Sequence, residues 1–472
     1  MINAIFDKNY SMKHLRLFSM LFVSLFLTVN FLFAQALPGT LNWYNGDGQG
    51  MSTNKAYDLL KKKKSSPVIV AVIDSGLDIE HEDLKGKVWV NKGEIPNNKI
   101  DDDKNGFVDD VHGWNFLGNA SGENQGPARL EKTRILAQLM LKYDGIDPQT
   151  IASNPEFDLY LKVKEDVEAA LAELEPYRES LDQFDVDTRN YILDQLNYNL
   201  NVNYDDRAIQ GDNPSDFTDL NYGNPDVEGT DALHGTHVAG IIAAIRGNNL
   251  GGDGVAENVL IMPVRAVPNG DEHDKDVALA IRYAVDNGAK VINMSFGKDY
   301  SSFPEEVANA IYYAESHDVL LVHAAGNDAK NIDIEPNYPE TYNFEGTGVV
   351  HDNYLTVGAS TKNKEELVAS FSNYGAVGVD VFAPGLEIYN SVPNNAYQNL
   401  QGTSMAAPMV TGVAALLKSY FPSLTMSEIR GAILFTVQIP ASGALTDLCN
   451  SRGVVNVYSA AKYCMKLEAG KK

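Results

Sequence analysis

Cysteine is nearly absent: Cys449 and Cys464, both near the C-terminus, are the two in a chain of 472 residues. So few cannot build a disulfide framework. Whether these two pair depends on a Cα separation that the sequence does not give, and it stays open. Basic side chains are also in short supply, 38 Lys and Arg against 63 Asp and Glu, for a net charge of −25. A surface that acidic disfavours nucleic acid and anionic membranes as partners and favours solubility. There is no internal repeat and no low-complexity tract, which excludes a solenoid or a disordered array. The strained-turn pattern G-x-S-x-G is missing too. What is present is a 44% hydrophobic composition, enough for a large core.

Three short segments carry most of the information. VIVAVIDSGLD is an unbroken apolar run, Val68 to Ile73, ending at Asp74, and it reads as a strand buried on both faces. HGTHVAGIIAA places His234 at the head of an apolar helix. GTSMAAPMVTGVAALL places Ser404 at the head of another, with Ala406, Ala407 and Pro408 suiting a first helical turn. Each side chain thus sits where regular structure begins or ends. Alone, each has an ordinary reading: Asp74 as a turn residue, His234 as a structural or metal-binding imidazole, Ser404 as an N-cap. Together they supply a nucleophile, a base and a carboxylate that fixes the base's tautomer, and one mechanism accounts for all three. His237 lies on the same helical face as His234 and reads as structural, because one imidazole suffices.

In the order Asp, His, Ser the chain resembles the subtilisin family of serine endopeptidases; the α/β-hydrolase order differs. A fourth segment, LLVHAAGND from Leu320 to Asp328, adds to the resemblance. It implies that the Asn327 side-chain amide donates to the oxyanion of the reaction. It also implies a three-layer α/β fold with a mostly parallel central sheet. In that fold Ser295, Phe296 and Gly297 pair with an extended substrate as an added strand. By the same resemblance Asp328 and Asn337 help shape the P1 pocket, bounded by Gly297 and Ala325. Burial of a large apolar P1 side chain outweighs one rim carboxylate, so large apolar residues are expected there, with Lys or Arg tolerated. The contrasting reading is a catalytically silent protein that keeps the peptide groove. Such a relative is expected to lose a triad residue or the oxyanion Asn, and this chain retains all four.

The remaining features fix organisation. Lys8, Lys13 and Arg16 precede an apolar stretch from Leu17 to Phe33 and then Ala34-Gln35-Ala36, the order of a cleaved secretory signal over residues 1–36; Met12 begins an equally good one. An uncleaved membrane anchor is the rival reading, which Ser19, Ser24, Thr28 and Asn30 disfavour. After cleavage the protein is expected to be secreted, periplasmic or at the cell surface, acting on protein or peptide substrates without stable membrane association. Residues 37–66 form an N-terminal extension too short for a domain, where subtilisin relatives usually carry an inhibitory chaperone. The peptidase domain is expected over 67–464, with an insertion at 117–230 between the catalytic Asp and His.

Ahead of that insertion, DDDKNGFVDDVH places Asp101, Asp103, Asn105 and Asp109 at positions 1, 3, 5 and 9 around Gly106, the first part of an EF-hand-like loop. Position 12 is His112, so a bidentate ligand has to come from elsewhere, with Asp110 the nearest carboxylate. Structural calcium is expected, since five carboxylates packed without a cation repel. Inside the insertion, residues 127–201 read as about three helices divided at Asp147-Pro148, Asn154-Pro155 and Glu175-Pro176, packed on the core or acting as a lid. Asp212 to Asp231 reads as loop. After it come a strand in Asn258–Ala266, a helix over Asp276–Asn287, a strand in Lys290–Gly297, and about one helix beyond that of Ser404.

Overall fold

A strand apolar on both faces needs cover on both sides. In the computed structural model, which describes residues 41–151, 154–220, 222–340 and 351–471, Val68–Asp74 forms β1 at the middle of the sheet. Its side chains alternate between two cores: Val68, Val70 and Val72 join one cluster, Ala71 and Ile73 the other. The segment expected to be a signal peptide lies outside the described residues.

Seven strands make up the sheet. They are β1, β2 (Trp114–Asn115), β3 (Val259–Arg265), β4 (Val291–Met294), β5 (Leu320–Ala324), β6 (Tyr354–Ser360) and β7 (Val381–Pro384), in the spatial order β2-β3-β1-β4-β5-β6-β7. Every neighbouring pair is parallel. Helix α1 (Thr53–Leu60) precedes β1, and its Ala56 and Leu60, with Tyr44 and Met51, sit inside the first core. The extension is therefore part of the core's packing.

Helices α2 (Glu131–Tyr143), α3 (Pro155–Leu174) and α4 (Val186–Asp194) form the insertion, close to the three read from the sequence. It has a small core of its own, including Ile135, Leu139, Tyr143, Phe157, Tyr160 and Val163. Buried charges tie it to the sheet side. Lys298 Nζ lies 3.0 Å from Glu131, Arg134 donates to the carbonyls of Asp271 at 3.0 Å and Glu272 at 2.9 Å, and Arg207 pairs with Asp276 at 2.6 Å. Removing one partner of a buried pair typically costs about 3–5 kcal/mol. Elements tied this way stay docked, which supports a packed insertion over a swinging lid.

Helices α5 (Leu233–Ala243) and α8 (Thr403–Tyr420) cover one face of the sheet, α6 (Asp274–Asp286) and α7 (Pro304–Ser316) the other. An antiparallel hairpin, β8 (Ile388–Val392) with β9 (Ala396–Leu400), packs on α5. Two helices, α9 (Met426–Phe435) and α10 (Val457–Gly470), follow α8 where about one was expected. Cys449 and Cys464 are free thiols buried in different clusters, which answers the pairing question in the negative. Among the described residues no helix is long and apolar enough to cross a membrane.

Candidate active site

Because every sheet strand runs the same way, the carboxyl ends of β1, β4 and β5 open on one edge, where α/β folds gather ligands. Asp74 ends β1, Ser295-Phe296-Gly297 follows β4, and Ala325-Gly326-Asn327-Asp328 follows β5. Helices α5 and α8 bring His234 and Ser404 to the same edge, each as the second residue of its helix.

His234 Nδ1 lies 2.7 Å from Asp74 Oδ1, which also accepts the Ser75 N–H at 2.8 Å. The carboxylate is buried at 3% exposure, while the imidazole keeps a side chain about one-third exposed to the cleft. Nδ1–H therefore donates to the acid and Nε2 is left to face the cleft. Burial alone would lower the His234 pKa; the charge and hydrogen bond of Asp74, with help from Asp231, outweigh it and raise the pKa above its ordinary 6.5. The glycine in HGTH is there for contact. A Cβ on Gly235 would lie 2.0 Å from the Gly76 carbonyl and 3.2 Å from Asp74 Cβ, so only glycine lets α5 approach the strand end. Thr236 Oγ1 accepts the Asp78 N–H at 2.9 Å. His237 reads as structural here too: Nε2 donates toward the carbonyls of Ile388 at 3.0 Å and Gln398 at 3.2 Å, and burial pushes its pKa down to about 3.

Ser404 is held by reciprocal bonds with Ser295. Its Oγ donates to the Ser295 carbonyl at 3.1 Å, and the Ser295 hydroxyl donates to the Ser404 carbonyl at 2.9 Å. Pro408 explains the second bond. It is the sixth residue of α8, past the first turn expected for it, and it has no N–H to give to the carbonyl four residues back. Asn293 and Thr411 extend the chain of bonds: Thr411 Oγ1 to Asn293 Oδ1 at 2.9 Å, and Asn293 Nδ2 to Ser295 Oγ at 2.9 Å.

Asn327 is oriented by its neighbour in space. Its Oδ1 accepts both the N–H and the hydroxyl of Thr403, at 2.8 and 3.0 Å, so Nδ2 turns the other way. Gly402 lies beside this amide: a Cβ there, at φ +147°, would lie 3.5 Å from Ser404 N and 3.6 Å from both Asn327 Nδ2 and Oδ1. The Ser404 N–H and the Asn327 amide thus border one small space next to Gly402.

Of the expected substrate contacts, Gly297 has no backbone hydrogen bond to any described residue, whereas Phe296 O accepts from His323 Nε2 at 2.8 Å and Lys298 pairs with Tyr338. Gly297 is therefore the free position between two fixed ones. Asn337 lies beneath Gly297, whose added Cβ would meet it at 2.8 Å, and donates to the Ala324 carbonyl. Asp328 is exposed and 3.6 Å from Lys330, which also bonds Asp299. Asn373 carries no sequence signal beyond a turn-like SNYG, yet it organises this loop. It bonds Ala325 O at 2.8 Å and accepts from the N–H groups of Asp328 and Lys330.

The acidic loop gathers a different set from the one expected. Carboxylate oxygens of Glu94, Asp101 and Asp103 lie within 4.8 Å of one another. Asp109 falls outside the group, accepting instead the N–H groups of Asn98 and Lys99. The Asn105 carbonyl accepts Phe107 N–H, and His112 bonds Trp89 O at 2.9 Å. Asp110 accepts from Tyr283 OH at 2.6 Å, Asn91 and Asn105, with burial raising its pKa to about 6. Glu94 enters because its Oε1 caps the N–H groups of Asp102 and Asp103. Three carboxylates this close suit a hard cation, since each oxygen bonded to an N–H keeps a second lone pair.

A parallel α/β sheet with this Asp, His and Ser at one edge defines the class of subtilisin-like hydrolase folds. The chain belongs to the subtilase family, Peptidase S8, whose profile matches residues 65–458. It is 39% identical over 261 residues to a thermophilic serine proteinase of Bacillus sp. strain AK1, covering 55% of this chain and 58% of that protein. It is 40% identical to thermitase of Thermoactinomyces vulgaris over 49% of this chain and 75% of that one, and 36% identical to subtilisin DY of Bacillus licheniformis over 48% and 77%. A solved structure of proteases from Pseudoalteromonas arctica PAMC 21717 shares the fold with a TM-score of 0.52 at 23% identity, over 90% of this chain and 97% of its own.

Proposed function

We propose that this chain is a secreted serine endopeptidase that hydrolyses proteins through an acyl-enzyme on Ser404. The observation that carries the reading is the 2.7 Å Asp74–His234 bond at the strand edge that also presents Ser404 and the converging donors of Asn327 and Ser404. In the reaction Ser404 Oγ leaves the Ser295 carbonyl, which is then available to the substrate N–H, and turns to His234. Nε2 takes its proton as Oγ attacks the peptide carbon, and Asn327 Nδ2 with Ser404 N–H holds the oxyanion. His234, charged and stabilised by Asp74, gives the proton to the leaving amine. Water then repeats the sequence on the ester and releases the acid. Gly297 receives the substrate backbone as an added strand. Since Lys330 already answers the Asp328 charge, large apolar P1 residues remain the expected preference. Incubation of the mature protein with an unfolded protein tests the reading: internal cuts are expected, and binding without cleavage would leave a silent peptide-binding protein.

The raised His234 pKa gives a signed prediction. The base must be neutral to accept a proton, so kcat/KM falls as pH drops, along an acid limb whose midpoint lies above 6.5. Asp74→Asn removes the larger raising contributions and leaves burial opposed by Asp231 alone, so in the residual activity the limb moves to lower pH. A pH–rate profile on both proteins reads this, and an unmoved limb would separate Asp74 from the base.

Calcium at Glu94, Asp101 and Asp103 is proposed as structural, supplying positive charge that lets these carboxylates approach. A ligand at about 100 times its Kd, bound by the folded state alone, adds roughly 2.7 kcal/mol, a few degrees in Tm. Chelation is expected to lower Tm by that amount in the wild type and much less in Glu94→Gln. Equal melting curves with and without chelator would remove the site.

A further inference from the structure

The pocket beside Ser404 is not walled by the sheet edge alone. Leu130 and Lys132, from the start of the insertion, line it together with Phe296, Gly297 and Asn327. The other ionisable side chains lining it have partners. Lys298 Nζ lies 3.0 Å from Glu131 and 2.8 Å from Asp274, Asp299 and Asp328 share Lys330, and Asp271 accepts the Glu131 N–H at 2.7 Å. Lys132 has neither a hydrogen bond nor an ion pair to any described residue, although it is half-buried. Nor does its own helix favour it. It is the second residue of α2, and a cation in a first turn opposes the helix dipole.

A half-buried lysine that lines a pocket and has no partner, with its neighbours' charges already answered, has its binding capacity left for a ligand. Side chains of an extended peptide alternate between faces. A substrate paired with Gly297 that puts P1 into this pocket turns P3 to the same side and P2 to the other. Resting on the peptidase reading above, we infer that Lys132 makes the insertion a specificity element, selecting peptides with an acidic side chain at P3.

The test is kcat/KM on three peptides that differ at P3 alone, Glu, Gln and Lys, with wild type, Lys132→Gln and Lys132→Glu. Wild type is expected to favour Glu over Lys by about fivefold, the upper end for a solvent-facing ion pair. The ratio is expected to approach one in Lys132→Gln and to invert in Lys132→Glu, a change that suits a helix first turn and so preserves folding. The same three side chains at P2 should give ratios that the variants do not move. If the Gln peptide is cut and the P3 ratio is the same in all three proteins, this inference falls alone. If wild type cuts none of the peptides, the peptidase reading falls and takes this one with it.

Discussion

Ser404→Ala and His234→Ala are each expected to abolish peptidase activity while the protein stays folded. The triad acts as a unit, so either loss is nearly the loss of all; for single changes of this kind in a subtilisin the fall in kcat is about 10⁶-fold, and that magnitude is borrowed here. Folding should survive because Ser404 Oγ makes one bond, to Ser295 O, worth about 1 kcal/mol. His234 is partly exposed and its removal opens no core cavity. Steady-state rates on an unfolded protein, with thermal melts beside them, read both halves. Retention of a tenth of wild-type turnover, a barrier change of only about 1.4 kcal/mol, would contradict the assignment.

Asn327→Leu is expected to lower kcat by about 10²- to 10³-fold with KM little changed, again the magnitude known for the matching donor in a subtilisin. The physical reason is that Thr403 holds Oδ1, which leaves Nδ2 to donate to the oxyanion of the proposed reaction. Gly402→Ala tests the same space from the other side. Its φ of +147° disfavours a side chain, and the new Cβ would stand beside both donors. Both variants should keep the Asp74–His234 pair and its acid limb, so pH profiles separate oxyanion damage from damage to the base. An Asn327→Leu enzyme with undiminished kcat would mean that Ser404 N–H suffices.

The parts of the fold read correctly from the sequence were those with uninterrupted apolar patterns. Val68–Asp74 and Leu320–Ala324 announced themselves because both faces of each are buried. Tyr354–Ser360 is as deeply buried, yet its Thr, Gly and Ser dilute the run, and no strand was read there. The candidate site side chains were legible because each sits in a motif whose small residues have a steric job, such as Gly235 against Gly76. Residues that act across long sequence separations were not. Asn373 reaches Ala325 and His323 reaches Phe296 from elements whose local sequence has no reason to advertise them. In the acidic loop, a template that counts positions along the chain does not point to Glu94, which joins from outside the loop through backbone N–H groups. Lys132 could not be found without knowing that α2 begins at the cleft.

The account rests on Ser404 being an activated nucleophile. Its most direct test is reaction of the folded, mature protein with a fluorophosphonate, followed by peptide mapping of the adduct. The account predicts one label per chain, on Ser404, absent in Ser404→Ala and strongly slowed in His234→Ala. A label on another residue, or an unlabelled wild type that melts normally, would contradict it.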